Sequence, residues 1–326
     1  MDKEGRLTLV KSVLSAMPVY FLTVFSLPKW AIKKIDKIRR SFLWKGEENA
    51  SGGHCLVNWK KCKLPKELGG LGILDLQMFS RALRLRWIWF EWKDPERPWV
   101  GSPTPCDNID RQVFRVSTVV TVGNGAVAKF WHCSWLQGRA PIDIAPTLYK
   151  LAWRKQRTVQ QELQNNNWTH GLWQMTTAQE MAEFIILWEL VQGVQLSDET
   201  DSITWRWTAD GSYTTKSAYK MQLQGTYLDG SQHKVWKAFA EGKVKFFAWV
   251  LLQRKILMAD LLSARHWQGP ATCPLCDQEP ETACHLCLQC YFAREVWFLI
   301  GNWMGWGAGF LSTVATDIQD WWNQTL

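Results

Sequence analysis

The amino-acid sequence predicts a mainly α-helical protein with small β-hairpins, an α+β chain in several parts that ends in a knuckle of cysteine and histidine residues. Apolar residues recur at helical spacing through much of the 326-residue chain. Short β-branched runs flank two glycine-containing turns, which is typical of hairpins. Five of the nine cysteines fall between Cys273 and Cys290, at spacings that suit a metal ion.

Residues 5 to 44 predict two helices, the second of which begins after Pro28. One face of this second helix is apolar, and its other faces carry Lys33, Lys34, Lys37, Arg39 and Arg40. The stretch from Ser12 to Pro28 lacks charge for 17 residues. It is shorter than the roughly 20 residues that span a bilayer, and Pro18 interrupts it. We therefore expect a buried helix bent at Pro18 and no membrane segment.

A turn, a long helix and a linker are predicted next. Pro65 to Ile73 contains three glycines within four positions, which favours a turn. The run from Leu76 to Trp92 has the apolar face of a helix, and two prolines shortly after it end the pattern. Residues 95 to 117 are rich in proline and glycine at their start and are interpreted as a linker.

Two hairpins and several helices are predicted in the remainder of the chain. The first hairpin pairs Thr118–Val122 with Ala126–Trp131 around a Gly-Asn-Gly turn. The second pairs Ile203–Trp207 with Ser212–Thr215 around an Ala-Asp-Gly turn. Apolar periodicity predicts helices over residues 156–164, 175–192, 216–224, 236–262 with a break at Gly242, and 292–303.

The cysteine cluster carries the strongest chemical signal in the sequence. Its spacing is Cys273-x2-Cys276-x8-His285-x4-Cys290. Sulfur and imidazole nitrogen are the donors that structural Zn²⁺ takes, four at a time. Four protein ligands leave no position for water, so the predicted Zn²⁺ site stabilises the fold and does not catalyse. Cys284 and Cys287 are interpreted as packing residues, although the spacing alone leaves open that either replaces a proposed ligand.

Positive charge is concentrated at the start of the chain. Residues 1 to 90 contain 17 Lys and Arg against 7 Asp and Glu, whereas the rest of the chain contains 21 against 23. This asymmetry favours a polyanionic partner, with a solvated basic surface as the alternative. The candidate phosphate-binding residues are Lys33, Lys34, Lys37, Arg39, Arg40, Lys60 and Lys61. Most of the 23 tryptophans are expected in the core, with base stacking as the role of one or two.

No catalytic arrangement emerges from the sequence. The chain contains no pair of adjacent aspartates, so the two-metal carboxylate site of a polymerase is not expected. It also contains no phosphate-cradling glycine loop followed by Lys and Ser or Thr. The sequence therefore predicts a protein that is not an enzyme.

Several short motifs, in order along the chain, resemble the C-terminal part of reverse transcriptases from plant LINE-type non-LTR retrotransposons. They include Gly5–Leu14 continuing into Met17–Tyr20, Phe42–Trp44, Val57–Trp59, Gly69–Ile73, Trp205-x-Trp207, Lys216–Tyr219, and the block from Trp236 through the cysteine cluster to Trp297. The resemblance implies that Cys273, Cys276, His285 and Cys290 bind zinc. It also implies that the family's polymerase palm, with its paired aspartates, would lie before Met1.

The resemblance implies three parts in the chain. Residues 1–95 correspond to a basic, helical, thumb-like region that grips nucleic acid. Residues 96–200 form a Trp-rich linker region with a hairpin, and residues 201–326 form the reverse-transcriptase-type zinc-binding domain. Residues 258–260, Met-Ala-Asp, depart from the family's Leu-Pro-Thr, which indicates a diverged copy.

The function expected from the sequence is therefore a non-catalytic, zinc-stabilised fragment that binds RNA or DNA through its N-terminal basic region. One alternative is a component of an RNA-directed DNA polymerase that acts with a separate palm-containing chain. Another is a protein-interaction module. The reduced cysteine cluster suits an intracellular, reducing compartment, either nucleus or cytoplasm, and a secreted protein is not expected.

Overall fold

The structure is a computed structural model that describes residues 1–49, 55–226, 232–305 and 317–325. Its first helices are α1 (Lys3–Leu9), α2 (Val19–Val24), α3 (Lys29–Trp44), α4 (Trp59–Lys63), α5 (Leu76–Lys93) and α6 (Asn108–Ser117). The central elements are β1 (Thr118–Thr121), α7 (Pro141–Ile144), α8 (Pro146–Leu151), α9 (Val159–Leu163), α10 (Asn167–His170), α11 (Ala178–Gln192), β2 (Ser202–Trp205) and α12 (Thr215–Met221). The last helices are α13 (Lys234–Lys237), α14 (Gly242–Leu252), α15 (Ala259–Ser263), α16 (Tyr291–Met304) and α17 (Ile318–Thr325). The predicted class, mainly α with a small amount of β structure, is confirmed.

The chain divides into two compact units. Unit 1 contains Met1–Pro18, Pro28–Asp75 and Gly225–Leu326, and unit 2 contains Val19–Leu27 and Leu76–Gln224. Unit 1 therefore combines the two ends of the chain, and unit 2 contains its middle. The division into residues 1–95, 96–200 and 201–326 stays a prediction about the origin of the chain.

The core of unit 1 joins helices from both ends of the sequence. Its buried side chains include Leu7 and Val10, Leu43 and Trp44, Leu71 and Ile73, and Phe246, Trp249 and Val250. The predicted turn at residues 65–73 brings the chain very close to itself, because a Cβ at Gly70 would lie 2.1 Å from the carbonyl oxygen of Leu64. The indole of Trp249 donates a hydrogen bond to the carbonyl of Gly69 (2.8 Å). The glycine run thus lets α14 pack against this turn.

The uncharged stretch from Ser12 to Pro28 differs from the prediction of a buried, bent helix. The chain forms a π-helical turn at Val10–Leu14 and then the short helix α2, with turn residues around Pro18. Tyr20 is 75% exposed and Phe21 is 54% exposed, so this helix is only partly buried. Among the described residues, no helix has both the length and the apolar character needed to cross a membrane.

Unit 2 has an aromatic core. Its buried side chains include Trp89, Phe114, Phe130, Trp131, Trp135, Trp168 and Trp205.

The long helix predicted from Leu76 to Trp92 is confirmed as α5. The linker predicted over residues 95–117 is wrong at its end, because α6 begins at Asn108. Asp107 and Asp110 form a capping box there, and both carboxylate oxygens of the buried Asp110 accept hydrogen bonds from Arg84.

The one sheet in the described part of the chain is an antiparallel pair of strands, and it replaces both predicted hairpins. Strand β1 pairs with β2, so that Thr118 lies opposite Trp205 and Thr121 opposite Ser202. After β1, the backbone N–H groups of Gly123, Gly125, Val127 and Ala128 all donate to the Asp201 carboxylate. These bonds wrap the loop around Asp201, so residues 126–131 do not return as a strand.

The second predicted hairpin fails because a helix starts where its return strand was expected. The hydroxyl of Thr214 accepts a hydrogen bond from the Ser217 N–H and caps α12.

The helix predicted over residues 236–262 is interrupted in the structure. Helix α14 begins at the predicted break, Gly242, and ends before Arg254, whose backbone is left-handed (φ 54°). The helix predicted over residues 175–192 is confirmed as α11.

Candidate metal centre and basic surface

The first half of the metal centre is a tight loop between Cys273 and Glu279. The backbone N–H of Cys273 donates to the carbonyl of Glu279 (2.8 Å), and the N–H of Asp277 donates to the carbonyl of Cys273 (2.9 Å). Asp277 adopts a left-handed conformation (φ 53°), which Asp tolerates better than most residues. The loop directs the sulfurs of Cys273 and Cys276 to the same side.

The second half is a π-helical turn, His285–Gln289, followed by Cys290 at the start of α16. The backbone N–H of Cys290 donates to the carbonyl of His285 (2.7 Å), which closes the wider turn and aligns the two side chains. The hydroxyl of Thr282 accepts a hydrogen bond from the His285 N–H (3.1 Å), and the indole of Trp297 donates to the carbonyl of Cys287 (2.7 Å). Sequence reasoning missed these two supporting residues. The spacing of Thr282, three residues before His285, is a helix-capping signal that could have identified it.

Cys273, Cys276, His285 and Cys290 converge in space, as the spacing predicts. Their four ligand atoms all lie within 4.8 Å of one another. The sulfurs of Cys273 and Cys290 are 3.9 Å apart, and Sγ of Cys276 lies 3.3 Å from Nε2 of His285. With Zn–S bonds of about 2.3 Å, two sulfurs of a tetrahedral site are about 3.8 Å apart. Three sulfurs and one nitrogen at these separations fit Zn²⁺.

The centre excludes bulk water from most of its ligands. Cys273 and Cys290 are fully buried and His285 nearly so, whereas Cys276 is half-buried. Backbone N–H donors at Gln278 and Glu279 lower the pKa of Cys276 to about 6, so this sulfur is ready to bind a cation at neutral pH. Burial raises the pKa of the Cys273 thiol, and it also raises the pKa of the Cys284 and Cys287 thiols.

Cys284 and Cys287 lie outside this group of four. Cys284 packs against the core of unit 1, and Cys287 supplies the carbonyl that binds the indole of Trp297. This arrangement agrees with the interpretation of both as packing residues. The ligand assignment, residue by residue, stays a prediction that replacement of His285 tests.

The basic surface predicted for the N-terminal region lies on α3 and α4. Lys33, Lys34 and Lys37 are exposed along α3, and Lys60 is exposed on α4. Arg40 and Lys61 are half-buried. The two helices meet through an acidic residue, because Nζ of Lys63 lies 3.3 Å from Asp36 and 2.6 Å from Asp75.

Arg39 does not belong to this surface, and its prediction as a phosphate-binding residue is corrected. Its side chain is 1% exposed. The guanidinium donates to the carboxylate of Asp36 (2.8 Å), the hydroxyl of Ser15 (2.8 Å) and the carbonyl of Leu74 (2.7 Å). These bonds hold the guanidinium of Arg39 in the interior of unit 1.

Comparison with known proteins agrees with the metal geometry. Residues 213–297 match the family described as zinc-binding in reverse transcriptase. Together, this match and the four converging side chains confirm the prediction of a zinc-binding segment of the reverse-transcriptase type.

Two proteins of Arabidopsis thaliana are similar to the chain. One is a putative ribonuclease H protein, 24% identical over 90% of this chain and 51% of its own length. The other is an uncharacterized mitochondrial protein, 37% identical over 21% of this chain and 44% of its own length. The chain thus spans about half the length of the curated relatives it matches. No solved structure matches it significantly.

Proposed function

We propose that this chain, whose residues 213–297 are a reverse-transcriptase zinc-binding segment, is a non-catalytic nucleic-acid-binding protein derived from a plant retroelement. The zinc centre stabilises unit 1, and the basic surface on α3 and α4 binds the phosphate backbone of RNA or DNA. The observation that carries this proposal is the row of exposed lysines on α3.

The exposed lysines on α3 are arranged as in a surface that binds the phosphate backbone of a nucleic acid. Lys33, Lys34 and Lys37 lie on two successive turns of one helix and are all exposed. None of the three forms an ion pair within the described residues, so their charge is available to a polyanion. The Lys63–Asp36 contact joins α3 to α4, and α4 carries the exposed Lys60. Contacts of this kind supply affinity without reading sequence.

The zinc centre contributes support and no chemistry in this proposal. When bound, Zn²⁺ would join Cys273 and Cys276 of the loop to His285 and Cys290 of the π-helical turn. All four donors come from the protein, and that closed donor set is typical of structural zinc. The ion would therefore fix the start of α16 and support the packing of Cys284 against the unit 1 core.

Salt titration of nucleic-acid binding tests the proposal. Lys33, Lys34 and Lys37 are changed together to Gln, and binding of a labelled single-stranded RNA and a DNA duplex is measured by fluorescence anisotropy from about 50 to 200 mM salt. Loss of three phosphate contacts should lower the slope of log affinity against log salt by about 2 to 3. Affinity should fall for all sequences alike, because the contacts read no bases.

A matched variant distinguishes the effect of the α3 lysines from the effect of lowering the net charge of the protein. Lys129, Lys150 and Lys216 are exposed lysines of unit 2, and changing them together to Gln removes the same charge elsewhere. We expect this control to keep most of the wild-type slope. Equal slopes in the two triple variants, or no binding by the wild-type protein at about 50 mM salt, would contradict the proposal.

A second candidate function is supported by the exposed aromatic residues of α2. Tyr20 and Phe21 are largely exposed, and the exposed Phe25 follows them. Exposed apolar groups of this kind favour a protein partner, such as a palm-containing polymerase chain. Primer extension that appears only when the two chains are mixed, and that Phe21→Ser weakens, would favour this function over simple nucleic-acid binding.

A further inference from the structure

Unit 1 contains a cavity of about 500 Å³ that is lined by residues other than those of the basic surface on α3 and α4. Its walls come from α1 and the turn after it, from the segment after Pro65, from α13 and from the start of α14. Among the described residues, the charged and aromatic side chains of the lining are Glu4, Lys11, Lys66, Lys245, Trp236 and Phe246. The volume lies within the range of sites that bind small ligands.

Three ammonium groups line this cavity against one carboxylate. Lys11 and Lys66 come close to each other around Gly72, where an added Cβ would lie 3.5 Å from Nζ of Lys11 and 3.6 Å from Cγ of Lys66. Nζ of Lys66 also lies 4.7 Å from the ring centre of Trp236, so a cation–π contact holds it in place. Within the described residues, Lys11, Lys66 and Lys245 form no ion pair with a carboxylate. The cavity therefore gathers positive charge that the protein does not neutralise.

The carboxylate of Glu4 marks a position in the cavity where a negative charge is stabilised. Glu4 lies against the first residue of α14, since a Cβ at Gly242 would be 2.6 Å from its carboxylate oxygen. The start of a helix carries a partial positive charge and free N–H groups. The exposed hydroxyl-bearing residues Thr8 and Ser12 line the same cavity. Lysines, hydroxyls and a helix start are the groups from which proteins build phosphate sites.

We propose that this cavity binds the terminal phosphomonoester of a nucleotide-sized ligand, between Lys11, Lys66 and Lys245. Three lysines and one glutamate give the lining a net charge of +2, which matches a phosphate dianion better than the single charge of a backbone phosphodiester. A free nucleotide and the phosphorylated end of a nucleic-acid strand share this group. The residues differ from those of α3 and α4, so this inference and the proposed function can fail separately.

The protonation of Lys11 supports the same conclusion. Burial and the neighbouring Lys66 lower the pKa of Lys11 to about 8, while Glu4 opposes the change. The ammonium groups of Lys11 and Lys66 repel each other, and a bound dianion would relieve the repulsion. Binding of a phosphomonoester should therefore draw a proton onto Lys11 near pH 8 and weaken at higher pH.

The experiment measures binding to the full chain with zinc present, by isothermal titration calorimetry. The probes are adenosine 5′-monophosphate, adenosine and inorganic phosphate. We expect the nucleotide to bind at least about tenfold more tightly than adenosine, because a charge-assisted contact contributes more than 1.4 kcal/mol. Lys11→Gln and Lys66→Gln should each weaken nucleotide binding about tenfold.

Two further variants keep the result interpretable if a lysine variant folds poorly. Glu4→Gln removes the opposing carboxylate and should tighten nucleotide binding, an effect opposite to that of damage. Lys243→Gln is the matched control, because Lys243 lies on α14, is 67% exposed and is not in the cavity lining. It should leave binding unchanged.

A competition arm identifies the source of the phosphate. Short single strands with a 5′-phosphate or a 5′-hydroxyl compete against the bound nucleotide. Stronger competition by the phosphorylated strand assigns the cavity to strand ends, and equal weakness of both assigns it to free nucleotides. The proposal is overturned if adenosine binds as well as its monophosphate, or if Lys11→Gln, Lys66→Gln and Glu4→Gln all bind the nucleotide like wild type.

Discussion

The aromatic core of unit 2 and the metal centre of unit 1 show two different ways to hold a chain together. The buried core of unit 2 contains 20 hydrophobic residues, five of them tryptophans. Around the metal centre, the buried apolar cluster among the described residues consists of Cys273, Cys290 and Ala293. Ala283, Cys284 and Leu288 add contacts to the unit 1 core, but so small a buried cluster offsets little of the conformational entropy of ordering the 18 residues from Cys273 to Cys290. Bonds to an ion must supply what apolar burial does not.

This difference predicts where each region is vulnerable. Structural zinc sites contribute on the order of 10 kcal/mol or more through metal binding. A single large core side chain contributes about 3 to 5 kcal/mol. Removing the ion should therefore melt one region locally, whereas the other region should respond only to changes in its packing.

Zinc removal should give the largest effect. Chelation at pH 7 should release one zinc per chain and expose the backbone amides of residues 273–290 to hydrogen exchange, while the amides of β1 and β2 keep their protection. The reason is that Cys273 and Cys290 have few apolar neighbours without the ion. Mass spectrometry of exchanged peptides from both regions measures the contrast.

Substitution at the metal centre sharpens the same test. His285→Ala should lose the zinc and the exchange protection together, whereas Gln289→Ala, at an exposed position of the same turn, should keep both. One zinc per chain in purified His285→Ala would show that the ligand set is wrong and would point to Cys284 or Cys287 as a replacement.

The second effect concerns the aromatic core. Trp205 is 1% exposed, and its indole donates to the hydroxyl of Ser217 (2.9 Å). Trp205→Ala should destabilise unit 2 by about 3 to 5 kcal/mol, measured by urea denaturation. Trp173→Ala, at a position 66% exposed, should cost less than about 0.5 kcal/mol. A zinc content that falls in Trp205→Ala but not in Trp173→Ala would contradict the separation of the two regions.

The third effect concerns the polar support of unit 2. Asp201 is partly buried, which opposes its ionisation, yet four backbone N–H donors outweigh burial and lower its pKa. Asp201→Asn should cost about 1 to 3 kcal/mol, because a neutral amide accepts fewer of these bonds. The stabilisation by Asp201 should be complete above the carboxyl's unfolded pKa of about 3.9 and be lost as pH falls through the lower folded pKa. Urea titration of wild type and Asp201→Asn between pH 7 and pH 2 measures it, and a gap that persists at the lowest pH would contradict the assignment.

The same contrast explains what the sequence could predict. The convergence of Cys273, Cys276, His285 and Cys290 was predictable because their spacing is local and the residue types have few other uses together. Helices α3, α5 and α11 were predictable because their apolar periodicity lies within one segment. The pairing of β1 with β2 was not, because it joins residues more than 80 positions apart. The Gly-Asn-Gly run that signals a hairpin instead wraps around Asp201, a partner that local pattern cannot identify.

Arg39 shows the same limit at the level of one side chain. It follows three lysines on an amphipathic helix, so its residue type and spacing both favour a solvent-exposed position. Its actual partners, Ser15 and Leu74, are 24 and 35 residues away in the sequence. A helical pattern specifies which face is apolar, but it does not reveal a distant hydroxyl and carbonyl that bury an arginine.

The smallest predicted effect tests whether a partly buried cation in the cavity of unit 1 lowers the stability of the protein. The pKa of Lys11 is lowered to about 8 from 10.5 by burial and by Lys66, against the opposing charge of Glu4, and Lys245 faces the same cavity. Between these values the unfolded chain binds more protons than the folded one, so the contribution of Lys11 to stability should rise with pH. Below pH 8 Lys11 is charged in both the folded and the unfolded state, and the cost of burying this charge on folding is constant.

Lys11→Gln should therefore be more stable than wild type at pH 7. Because Lys11 is partly exposed to screening solvent, we expect a difference of about 1 kcal/mol. The difference should shrink as pH approaches 10.5, as measured by urea denaturation of both proteins. A stability difference that does not change across this range would mean that Lys11 has a normal pKa and that the cavity carries no uncompensated charge.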